Sequence, residues 1–156
     1  MYIEKYWGNY IGGSDDSMTL LEYLAAKGKG ELTLNEIFAD SGMDKLEDIR
    51  QTDGALSLPV EDLDADIQYA IDLIADLAAL LLECKMNGSV DLAEHDMDEG
   101  VIGITATAEE HQRINSALAD FVAEPLSFDI SEMLDEDEAS EMAELCGQLR
   151  TELYGE

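Results

Sequence analysis

Basic residues are scarce in this chain. Eight Lys and Arg stand against 37 Asp and Glu, giving a formal net charge of −29 and a pI near 4.1. A surface of that sign repels phosphate backbones and anionic headgroups, which disfavours nucleic acid and membrane surfaces, neither of them expected as a direct ligand, and favours a basic partner. Cysteine is also rare. Cys84 and Cys146 both fall inside apolar helical patterns, so no disulfide framework is expected, and both thiols read as free in a reducing cytoplasm. The only histidines are His95 and His111. With no C-x2-C or H-x3-H spacing, no metal centre and no cofactor are expected. There is no Pro-rich linker and no repeat, so one domain over residues 1–156 is the expectation. The most apolar run, "AIDLIADLAALLLECKM", is interrupted by Asp72, Asp76 and Glu83 and does not read as a membrane span. No secretory pattern precedes Tyr6.

What is present is enough to fold. The hydrophobic fraction of 46% in 156 residues supports a core, so the acidity does not imply disorder. "MYIEKYW" alternates and reads as a strand, with "GNYIGG" turning after it. A helix is expected from about Ser17 to Lys27, and a shorter one over "TLNEIFADSG", where Thr33 and Glu36 have capping-box spacing and Gly42 is the terminator. "GALSLP" reads as a short strand ending before Pro59. The longest helix is predicted from about Glu61 to Lys85, with Leu63, Ile67, Ile71, Ile74, Leu77, Ala78 and Leu81 on its apolar face. Alternation of Val90 and Leu92, then of Ile102 and Ile104, predicts a β-hairpin near 89–106. Thr107 and Glu110 open another helix with face Ile114, Ala117, Leu118, Phe121 and Val122; Pro125 lies beyond its end. A last helix runs from about Glu138 to Leu153, burying Met142, Leu145, Leu149 and Leu153. The predicted fold is α+β: a small antiparallel sheet with four to five helices.

Chemistry-bearing motifs are absent where an enzyme would need them. There is no G-x-S-x-G, Cys84 sits among leucines, and "GKGELT" lacks Walker spacing, so no catalytic residues are assigned. "EHDMDEGVIG" imitates a calcium loop, but Glu99 falls where glycine is required and Thr105 replaces the final bidentate carboxylate. "GSDDSMTLLEYL" resembles the Asp-Ser-Leu neighbourhood of acyl carrier proteins, which implies a phosphopantetheine arm at Ser17 as the alternative function. Only 16 residues precede that serine, where carriers place a whole helix and a long loop. A plainer reading starts a helix here: Asp15, Asp16 or Ser17 accepts its first N–H groups, and Gly12 and Gly13 supply positive φ.

That cap does not require "WGNY". Taken with the Gly-Gly-x-Asp-Asp loop, the helix after it and the Glu99-Gly100 step, the Trp7-Gly8-Asn9 turn resembles the bacterial immunity proteins, acidic antidotes encoded beside polymorphic or contact-dependent toxins. The resemblance implies an α+β fold, cytoplasmic residence, no catalysis, and tight binding to a cognate toxin domain, many of which are basic nucleases. It transfers no binding residues. From the residues themselves, Trp7 and Tyr10 are candidate aromatic anchors. Asp15 and Asp16, with the hairpin acids Glu94, Asp96, Asp98 and Glu99, are the candidate partner-binding carboxylates.

Overall fold

The computed structural model describes residues 2–27, 30–52, 54–92 and 100–155. Its centre is a helix that is buried all round. In α3 (Ala70–Asn87) every residue from Ala70 to Glu83 is buried, which is the signature of a helix with neighbours on all sides. Helix α1 (Asp15–Lys27), α4 (Ala108–Ala123) and α5 (Glu136–Tyr154) pack against it, and α4 and α5 also pack on each other. The shorter α2 (Leu34–Ser41) buries Leu34, Ile37 and Phe38.

The strands are short. β1 (Trp7–Asn9) and β2 (Ile11–Gly12) form a small bulged pair. A three-stranded sheet has the order β3 (Glu31–Thr33), β7 (Val101–Thr105), β6 (Val90–Asp91). β6 pairs antiparallel with β7 through Val90↔Ile102 and Asp91↔Val101, as the alternation predicts. β3 adds to the other edge of β7 in parallel, through Leu32↔Ile104, so this sheet is mixed. β4 (Ser57–Val60) and β5 (Leu63–Asp66) make a separate antiparallel hairpin, with β4 lying on α1 and α2. The architecture is α+β.

Local signals place most helix ends. Thr33 accepts the Glu36 N–H at 3.2 Å, Thr107 and Glu110 form a complete capping box, and Gly42 and Gly88 end α2 and α3 at φ near 88° and 85°. Several expectations need correction. Tyr2–Lys5 is a 3-10 turn and not a strand: Ile3 and Tyr6, three residues apart, share one buried side, the 3-10 repeat. α1 starts at Asp15 and is capped by Ser14, whose hydroxyl accepts the Ser17 N–H at 3.1 Å; of the paired glycines only Gly12 has positive φ. The long helix starts at Ala70, because residues 61–66 belong to the β4–β5 hairpin, and Pro59 sits within β4. α5 starts two residues before Glu138, with Asp135 as its cap, and Val122 on α4 is exposed.

Candidate functional site

The opening motif folds as an intramolecular lock. Gly12 has φ +81°, and a Cβ placed there would lie 2.1 Å from Cδ2 of Trp7, so the indole rests directly on the glycine backbone. Trp7 is half-buried against the core. Tyr10 is also half-buried, and its hydroxyl donates to Glu141 Oε2 on α5 at 2.7 Å. That bond, before all other causes, pushes the phenol up to about 12. Tyr2, Tyr6 and Lys5 all donate to the Glu152 carboxylate, tying the N-terminal turn to the end of α5. Those donors hold Glu152 down at about 2.

The Asp pair divides in two. Asp15 is exposed at the first turn of α1. Asp16 is only 2% exposed, and its carboxylate accepts the Gln68 and Tyr69 N–H groups at 2.8 and 3.0 Å. Together with the Thr52 hydroxyl, which accepts the Ala70 N–H at 2.8 Å, it satisfies the entry to α3. Ser17 is 1% exposed, and its hydroxyl donates to Asp76 Oδ2 at 2.5 Å. A phosphopantetheine arm has no access to a hydroxyl committed in this way. Burial pushes Asp76 up to about 7 despite bonds from Ser17 and from the Gly12 N–H. Asp72, also buried, is pushed up first by burial and then by the charges of Asp76 and Asp16. The interruptions in the apolar run are therefore interior groups.

Two surface clefts gather polar side chains. One, of about 670 Å³, is walled by Arg50, Gln68, Tyr69, Asp129 and Glu132 and contains neither His nor Cys. Asp129 Oδ2 accepts the Thr52 N–H at 2.8 Å, while its buried Oδ1 has no hydrogen-bond partner among the described residues. The other, of about 600 Å³, does bring Cys84 and His111 to one wall, a convergence their spacing did not announce. Burial pushes the Cys84 thiol up, away from the reactive thiolate, and His111 Nδ1 lies 3.0 Å from the Tyr154 hydroxyl. Among the described residues no group of three or more His, Cys, Asp or Glu is arranged to hold a metal ion, and no helix is long and apolar enough to cross a membrane.

The charge arrangement is more informative. Six cations engage acceptors of this same chain. Lys5 pairs with Glu152, and Lys27 with Glu36 and Asp40, all at 2.8 Å. Arg50 donates to Ser127 and lies 4.0 Å from Asp48 and Asp120. Lys85 caps carbonyls of Glu152 and Leu153, Arg113 those of Met43 and Leu46, and Arg150 donates to Asn115. The acidic runs meet little of this positive charge. Glu61, Asp62, Asp64 and Asp66 are exposed on the β4–β5 hairpin; Glu132, Asp135, Glu136 and Asp137 are exposed around the start of α5. Glu94, Asp96, Asp98 and Glu99 lie outside the described residues.

Sequence reasoning missed the β4–β5 hairpin as a surface feature. Its signal was the strict alternation Asp62-Leu63-Asp64-Ala65-Asp66, a period of two inside what reads as a helix. Fold and surface together define a small acidic α+β protein that displays its negative charge outward and engages six of its cations within the fold. The chain belongs to the immunity protein 68 family, whose family model matches residues 2–153. No curated protein and no solved structure matches it. Membership of an immunity family gives the chain the role of neutralising a toxin by binding it.

Proposed function

We propose that this chain neutralises its toxin by forming a tight, non-catalytic complex through its carboxylates, and that the toxin surface it covers is basic, as in a nuclease-type domain. The observation that carries this is the charge balance of the surface: 37 acids face 8 cations, and Lys5 and Lys27 are already paired within the fold, so the outward field is strongly negative. A groove that binds phosphates presents Lys and Arg, and an array of carboxylates can occupy it in place of phosphate. Long-range attraction speeds capture, and buried contacts slow release. Asp15 and the acid run Glu94, Asp96, Asp98 and Glu99 are proposed as steering charges. Trp7 and Tyr10, already engaged within the fold, offer the partner only their exposed edges. Asp16 is occupied holding α3. The complex forms in the cytoplasm, with a toxin of the polymorphic or contact-dependent kind and without nucleic acid or membrane as a direct ligand.

The test is co-expression with the toxin domain encoded beside this chain's gene. Cells carrying both grow, and cells carrying the toxin alone do not. Absence of protection, together with no complex between the two purified proteins, would end this reading.

A further inference from the structure

The β4–β5 hairpin carries an apolar face past the edge of the core. Its register pairs Leu58 with Ala65 and Val60 with Leu63 on one side, and Ser57 with Asp66 and Pro59 with Asp64 on the other. Along the first side burial falls off steadily. Leu58 is fully buried, Ala65 and Val60 are half-buried, and Leu63 is 75% exposed, the most exposed large apolar side chain among the described residues. The turn between the strands is Glu61-Asp62, with Glu61 at φ 54°. Glu61 and Asp62 adjoin the leucine at the turn, Asp64 and Asp66 lie on the opposite face of the hairpin, and the sequence has no Lys or Arg between Gln51 and Cys84.

Acids on this strand have a plain explanation. β5 pairs only with β4 among the described residues, and charges on an edge strand oppose edge-to-edge aggregation. That accounts for Asp64 and Asp66. It does not account for Leu63, because an exposed leucine at a hairpin tip works against solubility. A large exposed apolar side chain beside an acidic turn matches the anatomy of an interface anchor with a polar rim.

We propose that the β4–β5 hairpin is the element that docks on the toxin, with Leu63 seated in an apolar depression and the turn acids Glu61 and Asp62 paired to Lys and Arg at its rim. This rests on the immunity reading above, and the occupant follows from charge complementarity. A hairpin bearing acids and no cation fits a basic protein surface. The exposed position of Leu63 means that its replacement leaves the fold intact.

The experiment measures binding of the full chain to the purified toxin domain encoded beside it, with melting curves as the folding control. Leu63→Ala raises Kd about 10- to 30-fold, chiefly through faster dissociation. Asp62→Lys with Asp64→Lys slows association about tenfold or more. A control with the same change of charge elsewhere, Glu109→Lys with Glu144→Lys, slows it less than about threefold, since screening confines the effect to nearby charges. If the wild-type chain binds tightly and the hairpin variants bind equally well, the hairpin proposal is wrong while the immunity reading stands. If the control reversal slows association as much as the hairpin reversal and Leu63→Ala changes nothing, net charge is responsible and the hairpin is not. A wild-type chain that does not bind overturns both.

Discussion

Replacing Asp76 by Asn should make this protein more stable at neutral and alkaline pH. Asp76 has no solvent exposure in the middle of α3, where Oδ1 accepts the Gly12 N–H at 2.7 Å and Oδ2 accepts the Ser17 hydroxyl at 2.5 Å. Burial outweighs those bonds and pushes the carboxyl from its ordinary 3.8 to about 7. Between about pH 4 and pH 7 the folded protein therefore holds a proton there that the unfolded chain releases. The associated stability is fully present below the lower value, is lost as pH rises through this window, and is gone above it. At 1.36 kcal/mol per decade, about three decades amount to about 4 kcal/mol, of which about 2.7 kcal/mol falls between about pH 5 and pH 8.

Asn at position 76 still accepts from Gly12. Its amide donates to Ser17, whose hydroxyl can turn to Ser14 Oγ at 3.0 Å. It has no proton to release. Surface repulsion is common to both proteins and cancels in the comparison; loss of the Asp76 charge also relieves Asp72, which acts in the same direction. Urea unfolding at about pH 5 and pH 8 is the assay. The wild-type midpoint should fall by roughly 1 M more than the variant's over that interval, for a slope of about 2 kcal/mol per molar. Equal losses in the two proteins, or a variant less stable at both pH values, would refute the reasoning.

Gly12→Ala drives a Cβ into the indole of Trp7 and strains a backbone at φ +81°, so a loss of roughly 2–4 kcal/mol is expected. Trp7 is the only tryptophan, so its emission should shift to the red in the folded variant; an unchanged spectrum and melting temperature would contradict the packing described. Thr52→Val keeps the shape of a buried side chain but leaves the Ala70 N–H without its acceptor, which costs about 1–3 kcal/mol in urea unfolding. Incubation with coenzyme A and a phosphopantetheinyl transferase should leave the intact mass unchanged, because Ser17 is buried on Asp76; an added arm would revive the carrier alternative.

Legibility in the sequence followed the range of the interaction. Thr33 with Glu36, Thr107 with Glu110, and Gly42 act within four residues, and each bounds a helix where the pattern puts it. The β6–β7 pairing was readable because Val90 and Leu92, Ile102 and Ile104 alternate locally. β3 was not, since three residues, Glu31-Leu32-Thr33, find their partner about 70 positions away. Residues 61–69 were misread because Leu63, Ile67 and Ile71 happen to keep helical spacing, although only Ile71 belongs to the helix. The interior acids were hidden for the same reason: what makes Asp16, Asp76 and Glu83 tolerable inside are N–H groups of Gln68, Gly12 and Ile3, all distant in the chain. The candidate site split accordingly. Asp15 and Asp16 stand side by side in the sequence, yet only Asp15 is exposed, and the exposure of Leu63 depends on a hairpin the helical pattern concealed.

The central claim is that a cation-poor surface captures a basic toxin. The most direct test is the association rate of this chain with the toxin domain encoded beside it, measured by stopped flow at about 50 mM and about 500 mM salt. The account predicts rapid association at low salt and a fall of about tenfold or more at high salt, with dissociation changing far less. Rates equal at the two salt concentrations would contradict it.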